Sequence, residues 1–267
     1  MPPANSVFQA AYDCLLCTSP TQKCDAVIRF AEQVDRGDIG FARTPSVNRV
    51  ESPGRPSRPR LVPPKKLARR GLATSRGKAA FIHAITHIEF NAINLALDAI
   101  YRFQDLPRGY YLDWASVAFD EAQHFLMLRE RLQQVGYDYG DFDAHNGLWE
   151  MAVKTDDNFV ARMALVPRVL EARGLDVTPG MIDKLQGNGD MKTADVLKVI
   201  LDQEIRHVAI GSRWFKYACK QKDLQPETTF RSLLGKYYTG GLQRPFHLEA
   251  RRKAGFSESE LEALCKL

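Results

Sequence analysis

From about residue 74 to residue 222 the apolar positions recur at three- and four-residue intervals, and no stretch keeps the two-residue alternation of a half-buried strand. The spacing predicts four long helices. The first opens at Thr74 or Ser75, both acceptable caps, and runs to about Phe103 before Pro107. The second spans Tyr110 to Gly136. The third is expected from Leu148 to Arg173, broken near Lys154 to Asp157 and stopped by Gly174. Thr178 and Pro179 then start a short connecting helix, and Asp190 caps a fourth long helix reaching Lys220.

The flanks read differently. Residues 5–35 suggest one or two short helices, and the tail carries one helix around Phe230 to Tyr238. A last helix begins where Ser257 and Glu260 have capping-box spacing. Between Gly37 and about Leu72 proline and arginine dominate, which forbids a continuous helix and predicts an extended arm. Its apolar spots, Leu61 and Val62 among them, predict that the arm lies along the body. The expected organisation is residues 1–36 as an N-terminal helical segment, 37–73 as the arm, 74–222 as a four-helix bundle, and 223–267 as a C-terminal helical extension.

Composition fits a soluble globular protein of one or at most two domains, with 45% apolar and 26% charged residues over 267 positions. No run of eighteen uncharged apolar residues is present, and the first stretch lacks the basic start and long apolar centre of a secretory signal. A cytoplasmic protein with no membrane partner is expected. Cys14 and Cys17 form a C-x-x-C with Cys24 nearby, but no fourth ligand completes a zinc site. These cysteines are read as small apolar residues on a helix face.

The net charge of +5 is unevenly placed. Arg43, Arg49, Arg55, Arg58, Arg60, Lys65, Lys66, Arg69, Arg70, Arg76 and Lys78 are opposed within their span only by Glu51. Such a run is a candidate contact for a polyanion, and also the ordinary signature of a solvated segment.

Two of the six histidines follow a glutamate by three places, in Glu121-Ala-Gln-His124 and Glu204-Ile-Arg-His207. Residues three apart on a helix lie on one face, so a carboxylate and an imidazole at that spacing can reach one ion. On the second helix the pair falls within the apolar stripe Trp114, Val117, Ala118, Phe125, Leu128 and Leu132. On the fourth it follows Val196, Val199 and Ile200 and precedes Gly211 and Trp214. Glu89 sits between Ile85, Ile88, Ala92 and Ala96 on the first helix, and Glu171 has a less clean stripe on the third.

An ionised glutamate on a core face costs several kcal/mol unless something pairs with it. The order Glu, Glu-x-x-His, Glu, Glu-x-x-His on four successive helices is the ligand set of di-iron and di-manganese carboxylate bundles. The expected metal ligands are therefore Glu89, Glu121, His124, Glu171, Glu204 and His207, holding two iron ions, with manganese in one or both places as the variant. Glu121 and Glu204 are the expected bridges. Asp120 is the candidate for orienting an imidazole from behind. His83 and His87 are assigned structural roles, and Pro167 is expected to disturb the third helix near the site.

The stretches HIEFNAINLALDAIYRF, DEAQHFLMLRERL, ARMALVPRVLEARGLDVTPGMIDKL, EIRHVAIGSRWFKYAC and RPFHLEARRKAGFSESEL resemble the bacterial family catalogued as domain of unknown function 455. The likeness runs from about Leu61 to the end of the chain. Members are regarded as ferritin-like proteins distantly similar to the tRNA-modifying di-iron hydroxylases. The resemblance thus implies a ferritin-like bundle and a di-iron centre that uses O2 to oxidise an organic substrate, with a tRNA nucleoside as the candidate, an unidentified electron donor, and the basic arm as the tRNA contact. The competing class is a protein that handles iron, scavenges peroxide or uses the metals only structurally. Against iron storage stand the long arm and tail, which obstruct a closed shell; against a rubredoxin-like partner module stands the single C-x-x-C pair.

Overall fold

The computed structural model describes residues 6–67, 71–238 and 241–266. Among them every regular element is helical, and the only extended pairings are two isolated bridges. The all-α expectation holds. Contacts divide the chain into two compact units, the first ending at Val153 and the second beginning at Lys154.

The first unit is built on α3 (Ser75–Arg102) and α4 (Arg108–Gln134), joined by five residues and therefore running in opposite directions along their shared face. Thr74 caps α3 by accepting from Gly77 N, as its position predicted. Two N-terminal helices, α1 (Val7–Leu16) and α2 (Pro20–Arg36), pack on α3 and α4 respectively and on each other. The joint between them is held by a buried lysine. Lys23 Nζ donates to Leu15 O, one of the carbonyls left over at the end of α1, and to Asn94 Oδ1 on α3. Cys14 and Cys24 are buried beside it, in line with their reading as apolar residues on a helix face, and Cys17 is half-buried.

The arm does lie along the first unit. Thr44 bonds Gln104, Asn48 N donates to Tyr101 Oη at 2.7 Å, and Trp149 Nε1 donates to Glu51 O at 3.0 Å. Gly54 N donates to Leu15 O at 2.9 Å, and Leu61 pairs with Ala144 through Val62 N to Ala144 O and Ala144 N to Arg60 O. Among its described residues one 3-10 turn, Pro64–Lys66, is the regular element. Arg69 and Arg70 of the basic run lie outside the described residues. The segment after α4 is clipped onto α3: Gly140 N donates to His83 Nε2, while Tyr139 Oη lies 2.9 Å from His87 Nδ1 and His145 O lies 3.1 Å from His87 Nε2. The first unit closes with α5 (Gly147–Lys154), which runs one residue into the second.

In the second unit the expected third helix is resolved into parts. After the break around Thr155–Asp157, Asn158 caps α6 (Phe159–Leu165), which passes into a π-helical turn over Val166–Glu171 and then into α7 (Ala172–Gly187). Pro167 does disturb the helix, as expected. Gly174, in contrast, does not stop it, and Pro179 sits inside α7 instead of opening a new helix. Gly174 lacks the positive φ of a helix-ending glycine, and the buried face of Leu175, Asp176, Ile182 and Leu185 carries α7 past both signals. Asp190 caps α8 (Met191–Gln221), the spine against which α6, the π-helical turn and α7 pack. The tail folds back as α9 (Pro226–Tyr237), α10 (Leu248–Lys253), which the sequence did not announce, and α11 (Glu258–Cys265) with the expected capping box.

A Cβ added at Gly54 would stand 2.1 Å from Leu16 O, so the arm approaches α1 more closely than any side chain permits. The substitution Gly54→Ala is expected to cost about 1–3 kcal/mol through displaced backbone. Urea unfolding measures it, and an unchanged midpoint would mean that the arm is not seated on α1.

Candidate metal centre

On α3 the face that carries Glu89 is Ile85, Ala92 and Ala96, all buried; Ile88, expected in that stripe, is 43% exposed. The correction is one of angle, since Ile88 is 100° from Glu89 and turns outward. On α4 the expected stripe holds completely: Trp114, Val117, Ala118, Phe125, Leu128 and Leu132 are buried, and Glu121 and His124 lie among them with no exposure. Glutamate and imidazole thus stand where the pattern calls for hydrocarbon.

Glu89, Glu121 and His124 converge. Each offers one ligand atom, and these atoms lie within 4.8 Å of one another, about the span of two metal bonds of roughly 2 Å each. His124 Nδ1 lies 3.2 Å from Glu121 Oε2 and 3.4 Å from Glu89 Oε2. Burial works against a charged imidazole, but the hydrogen bonds to Glu121 and Glu89, and then the charges of the same carboxylates, hold His124 protonated well above the ordinary histidine range. Glu89 is pushed up from the usual carboxylate range, first by burial and also by the neighbouring Glu121 charge, with His124 opposing. The arrangement is a proton shared among groups that a cation would satisfy better. All donors are carboxylate oxygen or imidazole nitrogen, which suits a hard or borderline divalent ion, and no cysteine joins the cluster.

The second unit carries the other three expected residues. Glu204 and His207 lie on the buried face of α8, with His207 Nδ1 3.5 Å from Glu204 Oε1. That face is Leu197, Ile200, Glu204, His207, Gly211 and Trp214. Val196 is half-buried and Val199 is 46% exposed, so these two do not belong to it. Glu171 is the last residue of the π-helical turn and is buried. Its stripe reads poorly in the sequence because a π-helical turn inserts one extra residue, which rotates everything after it by about 100° relative to a regular helix. Asp120, adjacent to Glu121, lines a groove of about 440 Å³ between α2 and α4 together with Glu32, Asp35 and Arg108.

Sequence reasoning did not single out Arg168. It is 1% exposed in the π-helical turn, with Nη2 donating to Glu260 Oε1 at 2.7 Å and Nε to Ser212 Oγ at 3.2 Å. The available signal was an arginine directly after a proline inside an otherwise apolar run, Ala164-Leu-Val-Pro-Arg-Val-Leu170.

The model of a family described as "Protein of unknown function (DUF455)" matches residues 16–262. An "Uncharacterized protein" of Haemophilus influenzae (strain ATCC 51907 / DSM 11121 / KW20 / Rd) is 46% identical over 214 residues, covering 78% of this chain and 74% of the relative. No solved structure matches the chain. Among the described residues no helix is long and apolar enough to cross a membrane.

The shifts at Glu89 and His124 have one sign in the metal-free protein. Both groups hold protons more tightly when folded than the roughly 4.3 and 6.5 of unfolded carboxyl and imidazole, so both contribute stability that is full below those values and is lost as pH rises. Thermal unfolding of the chelator-treated protein between about pH 5 and pH 9 should show Glu89→Gln gaining on the wild type as pH increases. A constant difference between the two would exclude a buried, proton-holding Glu89.

Proposed function

Because the chain belongs to the family described as protein of unknown function DUF455, a description that assigns no reaction, we propose its function from its own residues: a dinuclear metal protein, with two iron ions, that uses O2 to oxidise an organic substrate. The observation that carries the reading is the buried convergence of Glu89, Glu121 and His124, three ligand groups in place of core hydrocarbon. The second unit repeats the same chemical set in Glu171, Glu204 and His207. In this reading Glu89, Glu121, His124, Glu171, Glu204 and His207 are the residues that would hold the two ions.

The two ions would supply the electrons for O2 reduction, which protein side chains alone do not provide. What the chain contributes is a dry site and defined ligand positions. Burial of Glu89, Glu121 and His124 excludes water, and without metal the hydrogen bonds to Glu121 and Glu89 keep a proton on His124 against that burial. Metal loading must expel that proton, so ion binding is favoured as pH rises.

Metal analysis and stopped-flow oxygen consumption test the proposal together. Protein loaded anaerobically with ferrous iron should hold two ions per chain and consume O2; His124→Ala and His207→Ala should each lose metal. Two ions bound with O2 left untouched would move the protein to the iron-handling or structural class. Retention of both ions by both variants would refute the ligand assignment.

The proposed substrate is a nucleoside in tRNA, contacted through the basic arm. Of the arm's cations, Arg43, Arg49 and Arg60 are engaged by Asp105, Glu51 and Asp143, and Arg55 donates to the carbonyls of Pro56 and Pro59. Arg58, Lys65 and Lys66 are exposed, and no ion pair is formed by them among the described residues. Neutralising these three should lower tRNA affinity and flatten its dependence on salt by about three phosphate contacts, with metal content unchanged. A wild-type chain that does not bind tRNA in a filter or anisotropy assay would remove this substrate.

A further inference from the structure

The tail of the second unit converges on a single side chain. Arg168 leaves the π-helical turn and enters a cage of three rings, with its guanidinium carbon 4.8 Å from the ring centre of Phe215, 4.6 Å from Phe230 and 4.4 Å from Phe256. Those rings come from α8, from α9 and from the segment before α11. Its Nη2 donates to Glu260 Oε1, whose other oxygen accepts from Ser257 N and completes the cap of α11. Ser257 Oγ in turn donates to Glu227 at the start of α9. One carboxylate therefore ties the α9–α11 extension to the π-helical turn.

The turn is also pinned from below. Gly211 on α8 meets Pro167 so closely that a Cβ there would stand 2.2 Å from the proline Cβ, and Ser212, the next residue, accepts from Arg168 Nε. A π-helical turn is less favourable than the α-helix it interrupts and persists where its surroundings over-determine it. Packing alone would not call for an arginine. The guanidinium leaves Nη1 buried with no hydrogen-bond partner among the described residues, a desolvation cost that an apolar side chain would avoid. What the arginine adds is direction: two fixed hydrogen bonds that set the rotation of the turn ending in Glu171.

We propose that Arg168, held by Glu260 and Ser212, is a positioning residue for the metal ligand Glu171, and that the C-terminal extension is the clamp that fixes the ligand-bearing turn. This rests on the assignment of Glu171 as a ligand. The clamp acts through geometry, since Arg168 is three residues from the carboxylate and turned into the tail.

Cobalt(II) titration of the metal-free full chain, followed by visible absorption, tests it. Wild-type protein should take up two ions. Glu260→Ala should weaken one of the two by about ten- to a hundred-fold and alter its absorption bands while the other site is unchanged. Glu260→Gln, which keeps an acceptor for Nη2, should recover most of the loss. Arg252→Ala, which breaks the exposed Arg252–Glu258 pair on the same tail, should match the wild type. Should Glu260→Ala not fold, Ser212→Ala removes the Nε partner, leaves the α11 cap intact, and should show the same selective weakening. An isotherm and spectrum identical to the wild type, even with a lower melting temperature, would overturn the clamp and leave the metal assignment standing. A wild-type chain that binds no cobalt would overturn the metal assignment itself.

Discussion

Carboxylates buried in hydrocarbon are the constraint from which the rest of this structure follows. Glu89 and Glu121 occupy positions where the helical pattern calls for alanine or leucine, and both are buried. The metal-free chain meets that cost with a proton, held on His124 between the two carboxylates. The same three groups that make the protonated state tolerable are the donors a divalent cation needs. Stability and ion binding therefore draw on one set of atoms, and what weakens the first prepares the second.

Around this constraint the first unit is rigidly braced. Its α3–α4 pair is flanked by α1 and α2, Lys23 closes the joint between them, and the arm is bonded to the body from Thr44 to Val62. His83 and His87 take structural parts here, clipping the segment after α4 onto α3. In the second unit the bracing has a different character. A π-helical turn carries Glu171, and aromatic rings, a buried guanidinium and a side-chain-free glycine hold that turn in place. Departure from regular helix occurs at the segment that carries the buried Glu171, and such departures are found where their surroundings over-determine them.

The family to which the chain belongs carries no assigned reaction, so the functional reading rests on residues and not on inheritance. Imidazole and carboxylate donors, without thiolate, favour iron or manganese over a soft ion. The distribution of arm cations refines the polyanion reading in the same way. Charge counted along the sequence overstates what a partner would meet, because neighbouring carboxylates and carbonyls already engage four of the arginines.

The sequence by itself determined what depends on short-range periodicity and local chemistry. Helix starts at Thr74, Asp190 and Ser257 were legible because a capping side chain acts on backbone within three residues. Glu121 and His124 were legible because their spacing places them inside an unbroken apolar stripe. Tertiary structure decided what depends on distant partners. Gly174 failed to end a helix and Pro179 failed to open one because the burial of Leu175, Ile182 and Leu185 outweighs local propensity. The register of Glu171 was illegible because one extra residue in a turn rotates every later side chain, and that turn is held by Ser212 and Glu260, 44 and 92 residues further along the chain from Arg168. Periodicity is a property of a segment; the forces that break it belong to whatever packs against that segment.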